Sequence, residues 1–367
     1  MIAKRILKII MIITLAIIVL IAGLLGFLTA VEYRPADVEA LPVEGKAEAR
    51  YSPGSSLTVL SWNTGYGALG DNADFFMDGG KMVMSADRDR IRKNMEGIMS
   101  AIEGMGPDII LLQETDRNST RSYHTDECRI FRDRFAGYES SYGINHKAFF
   151  VPYPVPPIGQ VDAGLLTFSS SHVESAERIQ LPVPFNWPVS LVNLKRCVTR
   201  TRIFLYEAGG EKSDRELVLF NLHLEAFDDG EGKTAQTKML AGLLQEEREK
   251  GNYVIAGGDF NQFFTPEDEE AYPDLAGEWY PGELDTDQFG EGWRFLTDKR
   301  IPSCRSLDRP YKGADHGSFQ YYVIDGFIVS DNIQVREMKN MDMGFVCSDH
   351  NPVLLTFTMG AGDTEKQ

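Results

Sequence analysis

The chain has 367 residues, 43% hydrophobic and 25% charged, an ordinary globular balance that excludes wholesale disorder. Lys+Arg 37 against Asp+Glu 54 leave a formal net charge of −17, which excludes coating of nucleic acid through bulk charge but not a locally basic groove. The cysteines Cys128, Cys197, Cys304 and Cys347 form no CxxC pair, so neither a disulfide scaffold nor a zinc knuckle is expected.

From Ile9 to Val31 the chain reads IIMIITLAIIVLIAGLLGFLTAV, without a charged residue. At about 1.5 Å per residue such a helix spans the roughly 30 Å hydrocarbon core of a bilayer. Lys4, Arg5 and Lys8 precede it, and Glu32, Arg34, Asp37 and Glu39 follow. The positive-inside rule then puts the N-terminus in the cytoplasm and the rest outside. A signal peptide cleaved near Thr29-Ala30 is the rival reading, but signal cores run about 7–15 residues and this run is longer. The expected division is an anchor over 1–31, a Pro-containing linker over 32–56, one large domain over 57–359 and a frayed tail over 360–367.

Along the domain, apolar and β-branched runs predict strands at LTVLSW from Leu57, DIILLQE from Asp108, GLLTFSS from Gly164 and RIFLYE from Arg202. Further strands are expected at LVLFNLHL from Leu217, YVIAGGDF from Tyr253, YYVIDGFIVS from Tyr321 and PVLLTFTM from Pro352. One helix is expected from about Ser85, with Ile91, Met95, Ile98 and Ile102 on a single face, and another from about Thr234. Many strands with few helices suggest stacked sheets with helices packed outside. VPYPVPPIG from Val151 and residues 265–318 read as long surface loops of the kind that shape sites.

Gly65-Tyr66-Gly67-Ala68-Leu69-Gly70 fits GxGxxG formally, but the polar DNADFFMDGG follows it. A dinucleotide site needs a helix to open there, so a flexible loop at a strand end is expected instead.

The stronger pattern is the placing of polar residues at strand ends. Asn63, Glu114, His223, Asp259, Asn261, Asp325 and the pair Asp349-His350 each end, interrupt or precede an apolar run. One such residue is usually a turn former. A whole set of types that bind metals or move protons is not explained by turns. Asp325 sits among Tyr, Val, Ile and Phe, where an unpaired carboxylate would cost several kcal/mol, so it needs a partner such as an imidazolium. Glu114 ends IILLQ and suits a hard cation held on a rigid strand. Oxygen donors with few histidines favour Mg²⁺, Mn²⁺ or Ca²⁺ over zinc, and an imidazole beside a carboxylate can activate water. The chemistry points to metal-assisted phosphoester hydrolysis.

SWN, IILLQE, FNLHL, GGDFN, YVIDGFIVS and CSDHNP, in this order from Leu57 to Met359, resemble the endonuclease/exonuclease/phosphatase superfamily. That group includes deoxyribonuclease-like and sphingomyelinase-like enzymes. The resemblance implies an α/β fold, a four-layer αββα sandwich of two packed mixed β-sheets flanked by helices, here preceded by one transmembrane helix. It implies Glu114 as the main divalent-metal ligand, with Asn63 at metal or phosphate and Asp349 beside them. Asp259 and Asn261 would orient water and bind phosphate. His350 would be the general base, held by Asp325, and His223 would contact phosphate or assist the leaving group. Ser170 stands where the family's G-hydrophobic-S-R strand carries arginine.

Arg117, Arg121 and Arg129, and later Lys195, Arg196 and Arg200, could line a phosphate-binding wall, Arg121 being the one assigned to substrate. A solvated charged face is the commoner fate of such groups. His124 is expected at the surface, and His146, His172 and His316 as structural residues. The substrate stays open between nucleic acid, phospholipid and a small phosphoester, and no protein partner is implied. The acidic balance weighs against a non-specific nuclease. A sphingomyelinase-like enzyme would show an exposed aromatic hairpin, for which FFVPYPVPP from Phe149 is the candidate. A catalytically silent phospho-ligand-binding module on the same fold is the alternative, and its mark would be loss of the base or the metal ligand. Glu114, Asp259, Asn261, Asp325 and His350 are all present.

Overall fold

Period-two alternation in the apolar strands builds two sheets that share one dry interface. The computed structural model describes residues 2–360 except 208, 229 and 276–278, so the tail expected beyond Gly360 lies outside the described residues. In chain order the first elements are α1 (Ile2–Ala30), β1 (Val38–Leu41), β2 (Glu44–Gly45), β3 (Ser56–Asn63), α2 (Arg88–Met105), β4 (Ile109–Asp116) and α3 (Glu127–Arg134). Then come β5 (Glu139–Val151), β6 (Gly159–Ser169), β7 (Val173–Gln180), β8 (Cys197–Tyr206), β9 (Lys212–His223), α4 (Glu231–Glu249) and β10 (Tyr253–Asp259). The chain closes with α5 (Pro266–Glu269), β11 (Trp293–Leu296), β12 (Cys304–Arg305), β13 (Tyr321–Tyr322), β14 (Asp325–Ser330), β15 (Ile333–Asn340) and β16 (Val353–Met359).

Among the described residues, one seven-stranded sheet runs β1-β7-β8-β9-β10-β14-β11 and the other β15-β16-β3-β4-β6-β5-β2. Both are mixed: β9–β10 and β3–β4 are parallel, and the other pairs are antiparallel. Alternate residues of each strand go to different cores. Ile109 and Leu111 of β4 meet Leu217 and Leu219 of β9 and Ile255 of β10 between the sheets. Ile110 and Leu112 face outward, under Ile91, Met95, Ile98 and Ile102 of α2. Val218, Phe220 and Leu222 face outward the other way, under Leu240 and Leu244 of α4. The expected four-layer sandwich is the observed fold.

Local chemistry sets the helix ends. α2 begins later than Ser85, because Asp87 accepts from the Arg90 amide as N-cap. It ends at Gly106, whose φ of 58° is the left-handed stop. YYVIDGFIVS is divided, with β13 pairing with β12 before β14 starts at Asp325. β5, β7, β11 and β15 lack a continuous apolar run. The edge strand β15, for example, leaves Gln334, Glu337 and Arg336 in partial or full contact with solvent. Gly65–Gly67 form a tight buried turn rather than a flexible loop, and no α-helix opens from it.

α1 is long and apolar enough to cross a membrane, and the domain covers almost none of it. The segment after it lies along the domain instead of standing free. β1 pairs with β7 and β2 with β5, and Tyr51 bridges to Leu205. The four cysteines are unpaired.

Candidate active site

The inward parity that builds the shared core also aims the site residues. His223, Asp259 and Asp325 are direct cross-strand partners on the neighbouring strands β9, β10 and β14, at one end of the sheet. Each continues the inward-facing series of its strand, as Asn63 does on β3 after Leu57 and Val59. Glu114 is the exception, because it shares parity with the outward residues Ile110 and Leu112. The β4–β6 register shifts between Leu112 and Thr115, and Glu114 has φ 54°. This bulge turns its carboxylate to the site. The Asn63 amide then donates to Glu114 Oε1 at 3.4 Å and to Asp259 Oδ2 at 3.0 Å.

His350 and Asp349 enter from the loop before β16. His350 Nδ1 lies 2.8 Å from Asp325 Oδ2, and His350 Nε2 lies 3.7 Å from Asp259 Oδ2. The Trp62 indole N–H donates to the His350 carbonyl at 2.8 Å and pins that loop. The sequence reading passed over Trp62, although it stands next to Asn63. His223 faces Asp259 Oδ2 at 3.5 Å and Glu114 Oε1 at 3.9 Å, and its Nδ1 has no hydrogen-bond partner. Asn261, with φ 52°, donates from its backbone to Asp259 Oδ1 at 3.0 Å. All the strand-end residues expected at one site do meet there.

These groups line one end of a cavity of about 590 Å³, with Asp325 behind His350 rather than on the wall. Burial favours the neutral form of each ionisable group. It raises Glu114 and Asp349 above the ordinary carboxylate range, and with the neighbouring Asp325 charge it pushes Asp259 up to about 7. Burial also lowers His223 well below the usual imidazole range, helped by the charge of Arg196. The same burial opposes the charge on His350, yet the Asp325 carboxylate raises it well above that range.

The donor set fits a hard divalent cation. Donor atoms of Asp259, Asp325 and His350 lie within 4.8 Å of one another, as do those of Cys304, Asp349 and His350. Burial pushes the Cys304 thiol up to about 12, which disfavours a thiolate and leaves carboxylate and amide oxygens to set the preference.

The basic groups divide. Arg121 reaches the cavity, but its guanidinium is engaged by Asp116 at 3.0 and 3.2 Å and stacks over the Tyr66 ring at 3.7 Å. Arg196 is not on a solvated face. It is buried on the cavity wall, paired with Glu225 at 3.2 Å and donating to the His223 carbonyl at 3.0 Å. Nothing in its local sequence distinguishes it from Arg200, which pairs with Glu177 and Glu247 instead. His124 is exposed, while His146 is half-buried on the wall with Nε2 3.0 Å from the Val192 carbonyl. The Ser170 hydroxyl pairs with Tyr51.

No curated protein matches the chain in sequence. Solved structures share its fold at low identity. An endonuclease/exonuclease/phosphatase from Beutenbergia cavernae DSM 12333 is 16% identical, with TM-score 0.58 over 83% of this chain and 72% of that one. ANGEL2, a 2',3'-cyclic phosphatase, is 13% identical, with TM-score 0.53 over 88% and 98%. The human Nocturnin catalytic domain with bound sulfate is 16% identical, with TM-score 0.50 over 87% and 96%. The family model for Endonuclease/Exonuclease/phosphatase matches residues 60–305. The chain therefore belongs to the endonuclease/exonuclease/phosphatase family, a family of phosphoesterase enzymes.

Proposed function

We propose that the chain is a divalent-metal-dependent hydrolase of phosphoester bonds, in particular phosphodiesters, tethered by α1 with its domain outside the cytoplasmic membrane. The observation that carries this reading is the buried pair of His350 and Asp325 set against Asp259, with a second imidazole, that of His223, opposite. Asp325 engages Nδ1 of His350, so Nε2 is the nitrogen left to take a proton from water. Asp259 and Asn261 orient that water beside Nε2. His223 offers its unpartnered Nδ1 to the phosphate or to the leaving oxygen. Glu114, Asp349 and Asn63 would hold a divalent cation, which would supply Lewis-acid stabilisation of charge on the phosphoryl oxygens. Lys4, Arg5 and Lys8 before α1 and acidic residues after it support the orientation, and the proposed units are the anchor 1–31, the segment 32–56 and the catalytic domain 57–359.

Full-length protein in detergent is tested on bis-p-nitrophenyl phosphate with Mg²⁺, Mn²⁺ or Ca²⁺, beside His350→Ala. Metal-dependent turnover lost in the variant is expected. No turnover with any of these ions, or turnover unchanged in the variant, overturns the proposal. Protease protection of a C-terminal tag in sealed vesicles reads the orientation.

A further inference from the structure

The cavity has two chemically different ends. One carries the carboxylates, imidazoles and amides already described. Elsewhere the lining includes the apolar and aromatic side chains of Phe75, Phe76, Tyr153, Phe185, Val189 and Val192, beside the ion pair of Arg196 with Glu225. A fully polar substrate gains nothing from such a wall, whereas an amphiphile gains from burying its apolar part there.

The position of this wall relative to α1 gives the second observation. The C-terminal turn of α1 is docked on the loops that build the wall. The Phe27 ring packs edge-on against Phe149 at 5.1 Å, and Leu28 is buried. The Trp187 indole N–H donates to Thr29 Oγ1 at 3.2 Å. Just past the helix, Glu32 pairs with Lys195 at 2.9 Å, and Lys195 also donates to the Ser190 carbonyl at 2.8 Å. Residues 149–155 and 185–195 therefore sit at the level where α1 would leave the bilayer. They expose Phe149 (60%), Tyr153 (67%), Val155 (94%), Trp187 (60%) and Val189 (53%). Tyr and Trp of this kind favour the headgroup level of a membrane, and an exposed apolar patch continuous with a spanning helix is what that interface accommodates.

We infer that the substrate is a phosphodiester lipid of the leaflet that α1 leaves, its acyl part held on the apolar wall while its phosphate meets His350 and His223. This rests on the hydrolase reading and adds the substrate class to it. The reaction balances as hydrolysis: the water oxygen forms the new P–O bond, the lipid P–O ester bond breaks, and the proton taken by His350 is returned to the leaving alkoxide. The exposed aromatic and valine side chains seat the mouth of the cavity in the interface, so the lipid enters without crossing water.

The test uses full-length protein in vesicles of phosphatidylcholine, phosphatidylethanolamine and phosphatidylglycerol in equal parts. Released products are read by mass spectrometry, with bis-p-nitrophenyl phosphate as soluble control. Wild-type protein is expected to hydrolyse a diacyl phosphodiester in preference to the same headgroup diester without acyl chains. The exposed double variant Val155→Glu, Trp187→Glu, at two positions of the patch that do not line the cavity, is expected to lose lipid turnover by about tenfold or more, the scale set by apolar surface removed from the contact, with soluble turnover unchanged. Turnover of the soluble diester with no preference for the acylated form, or with preference for DNA or RNA, overturns the lipid assignment and leaves the hydrolase reading standing. Failure on every phosphodiester overturns the hydrolase reading itself.

Discussion

His350 Nδ1 and Asp325 Oδ2 lie 2.8 Å apart, both side chains almost wholly buried, and Asp325 Oδ1 has no hydrogen-bond partner. A buried carboxylate with one side-chain partner fixes that partner's ring, and here it leaves Nε2 directed to Asp259 and the cavity. Asp325→Asn keeps the shape and removes the charge that holds the imidazole. Turnover of bis-p-nitrophenyl phosphate should fall by about 10²–10⁴-fold, the usual worth of an oriented acid–base group. KM should change little. A loss below fivefold would show that Asp325 does not orient the base.

Glu114 reaches the site only through the bulge in β4, and burial raises its carboxyl. A cation that binds the native state alone raises stability by RT ln(1 + [L]/Kd), about 2.7 kcal/mol at a hundredfold excess over Kd. Mg²⁺ or Mn²⁺ should therefore raise the melting temperature of the wild type, and chelation should abolish both this gain and turnover. Glu114→Gln should melt at the same temperature with and without the ion. An equal rise in wild type and variant would place the ion elsewhere.

Glu247 ties α4 to the outer face of a sheet. Its buried carboxylate accepts from Arg202 at 2.6 Å, Arg200 at 3.1 Å and Lys250 at 3.0 Å. Burial alone would raise this carboxyl, but the hydrogen bonds and charges of Arg202 and Lys250 lower it to about 2. A depressed native value contributes stability above the unfolded value near 4.5 and loses it as pH falls toward 2. Glu247→Gln should cost on the order of 2–3 kcal/mol at pH 7 by urea unfolding, and the gap to wild type should close between about pH 4.5 and 2. A pH-independent gap would contradict the assignment.

Gln113 and Asn221 join the sheets through the shared core. Gln113 Nε2 donates to Asn221 Oδ1 at 2.8 Å, and Asn221 Nδ2 donates to the Leu112 carbonyl at 3.2 Å. Asn221→Leu leaves buried polar groups without partners and should cost about 1–3 kcal/mol. The double change Gln113→Leu, Asn221→Leu should be less destabilising than the sum of the single changes, since it removes both ends of the bond. Strict additivity in a denaturant double-mutant cycle would rule out the coupling.

The sequence by itself determined the core strands and the identity of the polar residues that end them. Alternation and apolar runs are local properties, so Asn63 and Asp259 could be placed at strand ends, and His223 and Asp325 within strand runs, before any pairing was known. Their inward parity is likewise written in their spacing from Val59, Leu219, Ile255 and Phe327. Edge strands such as β15 escaped, because a strand covered on one side needs few apolar residues. Only the tertiary structure decided what depends on elements far apart in sequence. The β-bulge that re-aims Glu114 exists only as a register mismatch with β6. The bond between Asp325 and His350 needs the two sheets brought together, and the burial of Arg196 needs Glu225 beside it. The docking of the α1 terminus beside the apolar end of the cavity joins residues 27–32 to residues 149–195. Spacing along a strand is set by backbone geometry within a few residues, whereas a site is set by which side chains packing brings to one point.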